Sequence, residues 1–170
     1  MYQDHKDLLS AFHAHGVKYL IVGGYAVIFH SQPRFTKDLD LLIKADPANA
    51  QATYAALAEF GASLEGIRPE DFADRSCFFR FGHDPRGFDV LPDLPGVDFD
   101  SAWERRVEGV LDATTGLKAF FISKDDLVAA KLASARLRDL ADVEEIWASA
   151  KSQAANKATG KPSVPNGSSQ

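Results

Sequence analysis

Cysteine is nearly absent from this sequence. Cys77 is the single one, so no internal disulfide can form, and a reducing, cytoplasmic compartment is the expected setting. Long apolar runs are missing too. The longest nearly apolar stretch, Tyr19 to Phe29, is broken by Gly23 and Gly24 and falls short of the ~20 residues a membrane-spanning helix needs. The opening MYQDHKDLL mixes acids and bases and has no signal-peptide apolar core. Positive charge is not in excess: 19 Lys and Arg stand against 24 Asp and Glu, a formal charge of −5. Residues 151–170 carry Lys151, Lys157 and Lys161 and no acids, which leaves −8 on residues 1–150. So acidic a body argues against generic duplex-DNA binding, which needs a basic face. It remains compatible with an enzyme that holds a nucleotide through metal ions and a few local cations. The sequence has no G-x-S-x-G, no H-E-x-x-H and no Walker loop. His13 and His15, two apart on a helix, do not face each other and make a poor metal pair, and His30 and His83 read as structural or loop residues.

What is present is an ordinary globular composition, 45% apolar and 25% charged, in 170 residues. That length suits one domain with a proper core, placed at 1–150, followed by a tail at 151–170. The tail, rich in Ser, Gly, Pro and Lys and without aromatics, is too polar to order itself and is expected to be disordered. In the body, Leu8, Leu9 and Phe12 recur at helical spacing before Gly16. Asp46-Pro47 opens a second helix that Gly61 closes. Cys77 to Phe81 and Phe88 to Pro92 form two strands joined by the His83–Gly87 turn, an antiparallel hairpin. Val107–Leu111 and Lys118–Ile122 are further strand candidates, and Ser123 with Asp126 caps a helix leading into a C-terminal helical pair. Helices and strands do not alternate regularly, which predicts an α+β fold with a mixed, partly antiparallel sheet flanked by helices.

The chemistry sits on the strands. Tyr19–Val22 is an apolar run that ends at Gly23-Gly24, and a second apolar strand carries Asp38 and Asp40. Residues two apart on a strand share a face, so the two carboxylates lie together while Leu39, Leu41 and Ile43 point the other way. Like charges in so apolar a setting repel and are costly to desolvate, and a divalent cation is the simplest remedy. Asp89 has the same setting in GFDVLP. If strand 88–91 lies beside strand 39–43, three carboxylates meet, and such a trio can hold two Mg²⁺ ions about 4 Å apart. A strand that turns through two glycines into a helix lets backbone N–H groups approach a phosphate.

Gly23-Gly24, thirteen intervening residues, then Asp38-Leu39-Asp40 and a later FDVL at 88–91 resemble the signature of the nucleotidyltransferase superfamily, the polymerase-beta-like fold. The finer pattern is GGYAV at 23–27, Arg34 and Thr36 before DLDLLI, then Lys131 and RDLADVEEI at 138–146. It is similar to small bacterial nucleotidyltransferase-like proteins of the abortive-infection and toxin–antitoxin type. The resemblance spans residues 17 to about 148. It implies a nucleotidyltransferase-like sheet, with Asp38, Asp40 and Asp89 as metal-binding and catalytic residues for two Mg²⁺ ions. It also implies an NTP donor bound near Gly23, Gly24, Arg34, Thr36 and Lys131. Many relatives have Ser at the second glycine, so Gly24 offers only its backbone. Asp139 and Asp142 are expected to brace the last helix, with Arg136 and Arg138 as their partners or at the rim. The implied reaction moves an NMP group to a hydroxyl of tRNA, a protein or a small molecule, with no membrane involved. The alternative is a non-catalytic antitoxin module of the same fold that acts through a partner protein.

Overall fold

The structure is a computed structural model that describes residues 1–83 and 86–158. Its centre is a six-stranded mixed sheet in the order β3-β4-β2-β1-β6-β5. The strands are β1 (Tyr19–Val22), β2 (Leu39–Ile43), β3 (Phe79–Phe81), β4 (Phe88–Leu91), β5 (Val107–Asp112) and β6 (Leu117–Phe121). β2 runs antiparallel to β1 and parallel to β4, β1 runs parallel to β6, and both edges are antiparallel hairpins. The α+β fold and mixed sheet read from the sequence are therefore what the chain adopts.

Why these residues form these elements is visible locally. β1, YLIV, is buried along its whole length because helices cover both faces of the sheet there. One face packs Leu39, Leu41 and Ile43 of β2 and Val90 of β4 against α1 (Gln3–Ala14) and α3 (Pro47–Phe60). The other packs Leu20, Val22 and Leu42 against α2 (Gly23–His30), α4 (Phe99–Glu104), α5 (Lys124–Ser134) and α6 (Leu137–Ala158). α3 starts where Asp46 accepts the Asn49 N–H, with Pro47 in its first turn, and stops at Gly61, whose φ of 90° closes the last turn. Ser123 accepts the Asp126 N–H at the start of α5.

Two of the expected boundaries above differ by two residues or more, the other strand ends by at most one. The strand expected at Cys77–Phe81 begins at Phe79. The tail expected from residue 151 starts inside α6, which continues through residues 151–158. Helix-favouring residues in KSQAANKA extend a helix already nucleated by packing, despite their low hydrophobicity. Residues 159–170 of that tail, and Asp84-Pro85 of the expected turn, lie outside the described residues. Among the described residues no helix is long and apolar enough to cross a membrane.

Candidate active site

The site begins where β1 becomes α2. Gly23 has a φ of +61°, and a Cβ there would run into the Asp40 carboxylate. A Cβ on Gly24 would strike the Thr36 hydroxyl. The glycine pair therefore lets the backbone close on two side chains at once. The Gly24 N–H donates to the Asp40 carboxylate, so this donor serves Asp40.

In the parallel β2–β4 pair Asp40 stands beside Asp89. Alternation puts both on the face of Leu42, toward α2, α5 and α6, so these two carboxylates meet as the sequence predicts. Asp38 lies one residue before β2, at the mouth, with about a third of its side chain exposed. Burial pushes the Asp40 carboxyl up to about 6, helped by the negative charges of Asp89 and Asp38. The Gly24 N–H and the Lys131 charge act in the opposite direction.

Asp89 is only 4% exposed and has a partner that sequence reasoning missed. Arg80, directly opposite in the β3–β4 hairpin, donates Nε–H to Oδ1 and Nη2–H to Oδ2, each at 2.8 Å. Arg80 Nη2 also lies 3.8 Å from Asp38 Oδ2. The available signal was a lone arginine between Phe79 and Phe81, facing FDVL across a short turn.

Further cations reach the site from the C-terminal helices. Ala135, in the left-handed region at φ 51°, turns the chain between α5 and α6 and brings α6 back onto α5. Buried Lys131 thus lies 3.0 Å from Asp139 and 2.7 Å from Asp142, both themselves buried. Arg136 donates to Asp139 at 2.7 Å, and Arg34 pairs with Asp142 and reaches Glu145 at 3.5 Å. Burial alone would raise the Asp139 carboxyl, but hydrogen bonds from Arg136, Lys131 and Ser134 outweigh it and hold the group down at about 2. Asp142 is likewise lowered, because bonds from Arg34 and Lys131 overcome its burial.

A cleft of about 480 Å³ opens over these groups. Gly23, Gly24, Arg34, Thr36, Asp38, Asp40 and Lys131 all line it, together with Phe35, Lys37, Arg136, Arg138, Asp139 and Asp142. Asp89 does not line it; it lies behind, beside Asp40 and under Arg80. Arg138 makes no ion pair with a described residue and faces the cleft as an uncommitted cation. His30 Nε2–H donates to the Ile122 carbonyl oxygen at 2.7 Å, the structural role its sequence setting suggested.

Residues 3–151 match a family described as a nucleotidyltransferase of unknown function (DUF6036). The chain belongs to this nucleotidyltransferase family. No curated protein matches the sequence. Among solved structures, the fold of this DUF6036 member is similar to that of the lincosamide antibiotic adenylyltransferase LnuA, solved with lincomycin bound. The TM-score is 0.55 at 17% identity, over 86% of this chain and 96% of LnuA.

The donor set decides how a metal ion would fit. Oxygen ligands suit a hard divalent cation such as Mg²⁺, and the raised Asp40 carboxyl marks a place short of positive charge. Asp38 and Asp40 therefore fit an ion. Asp89 differs, since each of its oxygens already accepts from Arg80. Among the described residues no group of three or more His, Cys, Asp or Glu side chains is gathered so as to hold an ion.

Proposed function

We propose that this DUF6036 protein transfers a nucleoside monophosphate from an NTP to a hydroxyl acceptor. The observation that carries the reading is the cleft itself. In one cavity it joins a glycine-paired helix start, the Asp38–Asp40 carboxylates and a cationic wall from Arg34, Lys131, Arg136 and Arg138. In the reaction, the acceptor oxygen forms a bond to the α-phosphorus and the bond to the β-phosphate oxygen breaks. Pyrophosphate leaves with the bonding electrons, and the hydroxyl proton passes to a carboxylate or water.

Asp38 and Asp40 are the residues that would hold Mg²⁺. When bound, the ion supplies neutralisation of phosphate charge as it shifts during displacement. The chain's residues do the rest. Arg138 and Arg136 at the rim draw the triphosphate in, while Arg34 and Lys131, held in place by Asp139, Asp142 and Glu145, stand fixed as donors beside it. Gly23 and Gly24 let the backbone close on the Asp40 and Thr36 side chains at the cleft. Asp89, held by Arg80 behind the cleft, adds its negative charge beside Asp40.

LnuA is by its name an adenylyltransferase of an antibiotic, which makes ATP and a small-molecule hydroxyl the first pair to try, ahead of tRNA and protein acceptors. The test is incubation with Mg²⁺ and each α-labelled NTP, with small-molecule, tRNA and cell-extract acceptors. Label transfer lost in Asp38→Ala and Asp40→Ala supports the proposal. Absence of both transfer and NTP binding by calorimetry sinks it. A second reading, a module acting through a partner protein in a toxin–antitoxin or phage-defence setting, draws on Leu137, Leu140 and Trp147. These form an exposed apolar stripe along α6. Retained NTP transfer in a Leu137→Ser, Trp147→Ser variant would separate the two roles.

A further inference from the structure

The carboxylates of this site are already partly neutralised by the chain itself. A carboxylate as buried as Asp89 needs a counter-charge. Arg80 supplies it through two parallel N–H···O bonds of 2.8 Å, the fork geometry in which guanidinium and carboxylate bind most strongly. The guanidinium keeps its charge at any accessible pH, and its second reach, 3.8 Å to Asp38, places it between the mouth carboxylate and the buried one. An ion shared by Asp38, Asp40 and Asp89 would have to compete with Arg80 for Asp89. One guanidinium and one divalent ion together match the charge of three carboxylates. We propose that Arg80 takes the place of the second cation, so that the site binds one divalent ion, on Asp38 and Asp40, and uses Asp89 as an arginine-held anion.

Resting as it does on the nucleotidyl-transfer reading, the inference makes Arg80 a positioning residue whose role shows in the number of ions bound. Arg80 is on an edge strand with 60% of its side chain exposed, so its removal leaves the apolar core untouched. The test is equilibrium dialysis of the full chain against excess Mn²⁺ and the α,β-methylene analogues of ATP, GTP, CTP and UTP in turn. Ions held elsewhere on the chain, measured on the Asp38→Ala, Asp40→Ala double variant, are subtracted. The quantity read is excess Mn²⁺ per excess nucleotide in the protein chamber. Wild type should give a ratio of one and Arg80→Ala a ratio of two. A wild-type ratio of two overturns the role of Arg80 and leaves nucleotidyl transfer standing. A ratio of one in folded Arg80→Ala also overturns it. Should that variant not fold, the wild-type ratio decides alone. No nucleotide in excess with any analogue refutes nucleotidyl transfer itself, and the inference with it.

Discussion

Replacing Asp40 with asparagine should make the metal-free protein more stable at neutral pH, although the same change should abolish transfer. Asp40 titrates at about 6 when folded and near 3.8 when unfolded. The sign follows from proton linkage. Below pH 3.8 both states hold the proton and the group contributes nothing. Between 3.8 and 6 the unfolded chain releases its proton first, so stability falls as pH rises, and above 6 the loss is complete. At about 1.4 kcal/mol per pH unit, that interval is worth about 3 kcal/mol. Asparagine keeps the size and can still accept from Gly24, but that bond to a neutral oxygen is weaker, so about 2 kcal/mol of net gain is expected. Urea titrations of both proteins at pH 7.5 and pH 4 in chelator provide the assay. The advantage of Asp40→Asn should be present at pH 7.5 and nearly vanish at pH 4. Adding Mg²⁺ should raise the wild-type midpoint and leave that of the variant unchanged. An advantage equal at both pH values, or none at pH 7.5, would refute the account of Asp40 as a desolvated, charge-crowded carboxylate.

The acid side should behave in the opposite way: Asp139, held at about 2, adds stability above about pH 4 that is lost as pH falls toward 2. Asp139→Asn should therefore lie below wild type at pH 6 and meet it near pH 2, as read by denaturant midpoints. Lys131→Ala strips buried Asp139 and Asp142 of their shared cation and should cost about 3–5 kcal/mol, measured by thermal or urea unfolding. Gly24→Ala should destabilise by overlap with Thr36, and Thr36→Ala should recover part of the loss. A double-mutant cycle should then show a coupling of about 1 kcal/mol or more. Arg138→Ala, with no ion pair to a described residue to lose, should weaken NTP binding in calorimetry and leave the melting temperature within about 1–2 °C of wild type.

Much of this arrangement could be read before the structure, because its signals are local. The apolar run before Gly23, the alternation in DLDLLI and the punctuation of α3 by Asp46, Pro47 and Gly61 each follow from neighbouring residues. The meeting of Asp40 with Asp89 needed one guess, the pairing of β2 with β4, and the parallel register supplies it. Arg80 was not legible because its role depends on hairpin register: a slip of one residue would have turned it away from Asp89. The resemblance singled out Lys131, but its burial among acids was equally hidden. From its helix alone it could be a solvent-facing lysine, and only the left-handed Ala135 folds the α6 acids back over it. The length of α6 was misjudged because composition alone says nothing of the packed helix that KSQAANKA prolongs.

The clasp of α6 on Lys131 and Arg34 bears on how far this domain can be cut down. A fragment ending at Ala135 would retain all six strands, the glycine pair and Asp38, Asp40 and Asp89. It would nonetheless lose Asp139, Asp142 and Glu145, the anions that hold those two cations in place. Its cleft would lose a wall and gain two unneutralised, rotatable positive charges. The strands alone are thus no portable nucleotide-binding unit. The last helix belongs to the site electrostatically as much as to the fold, and engineering that swaps it must carry its acids along.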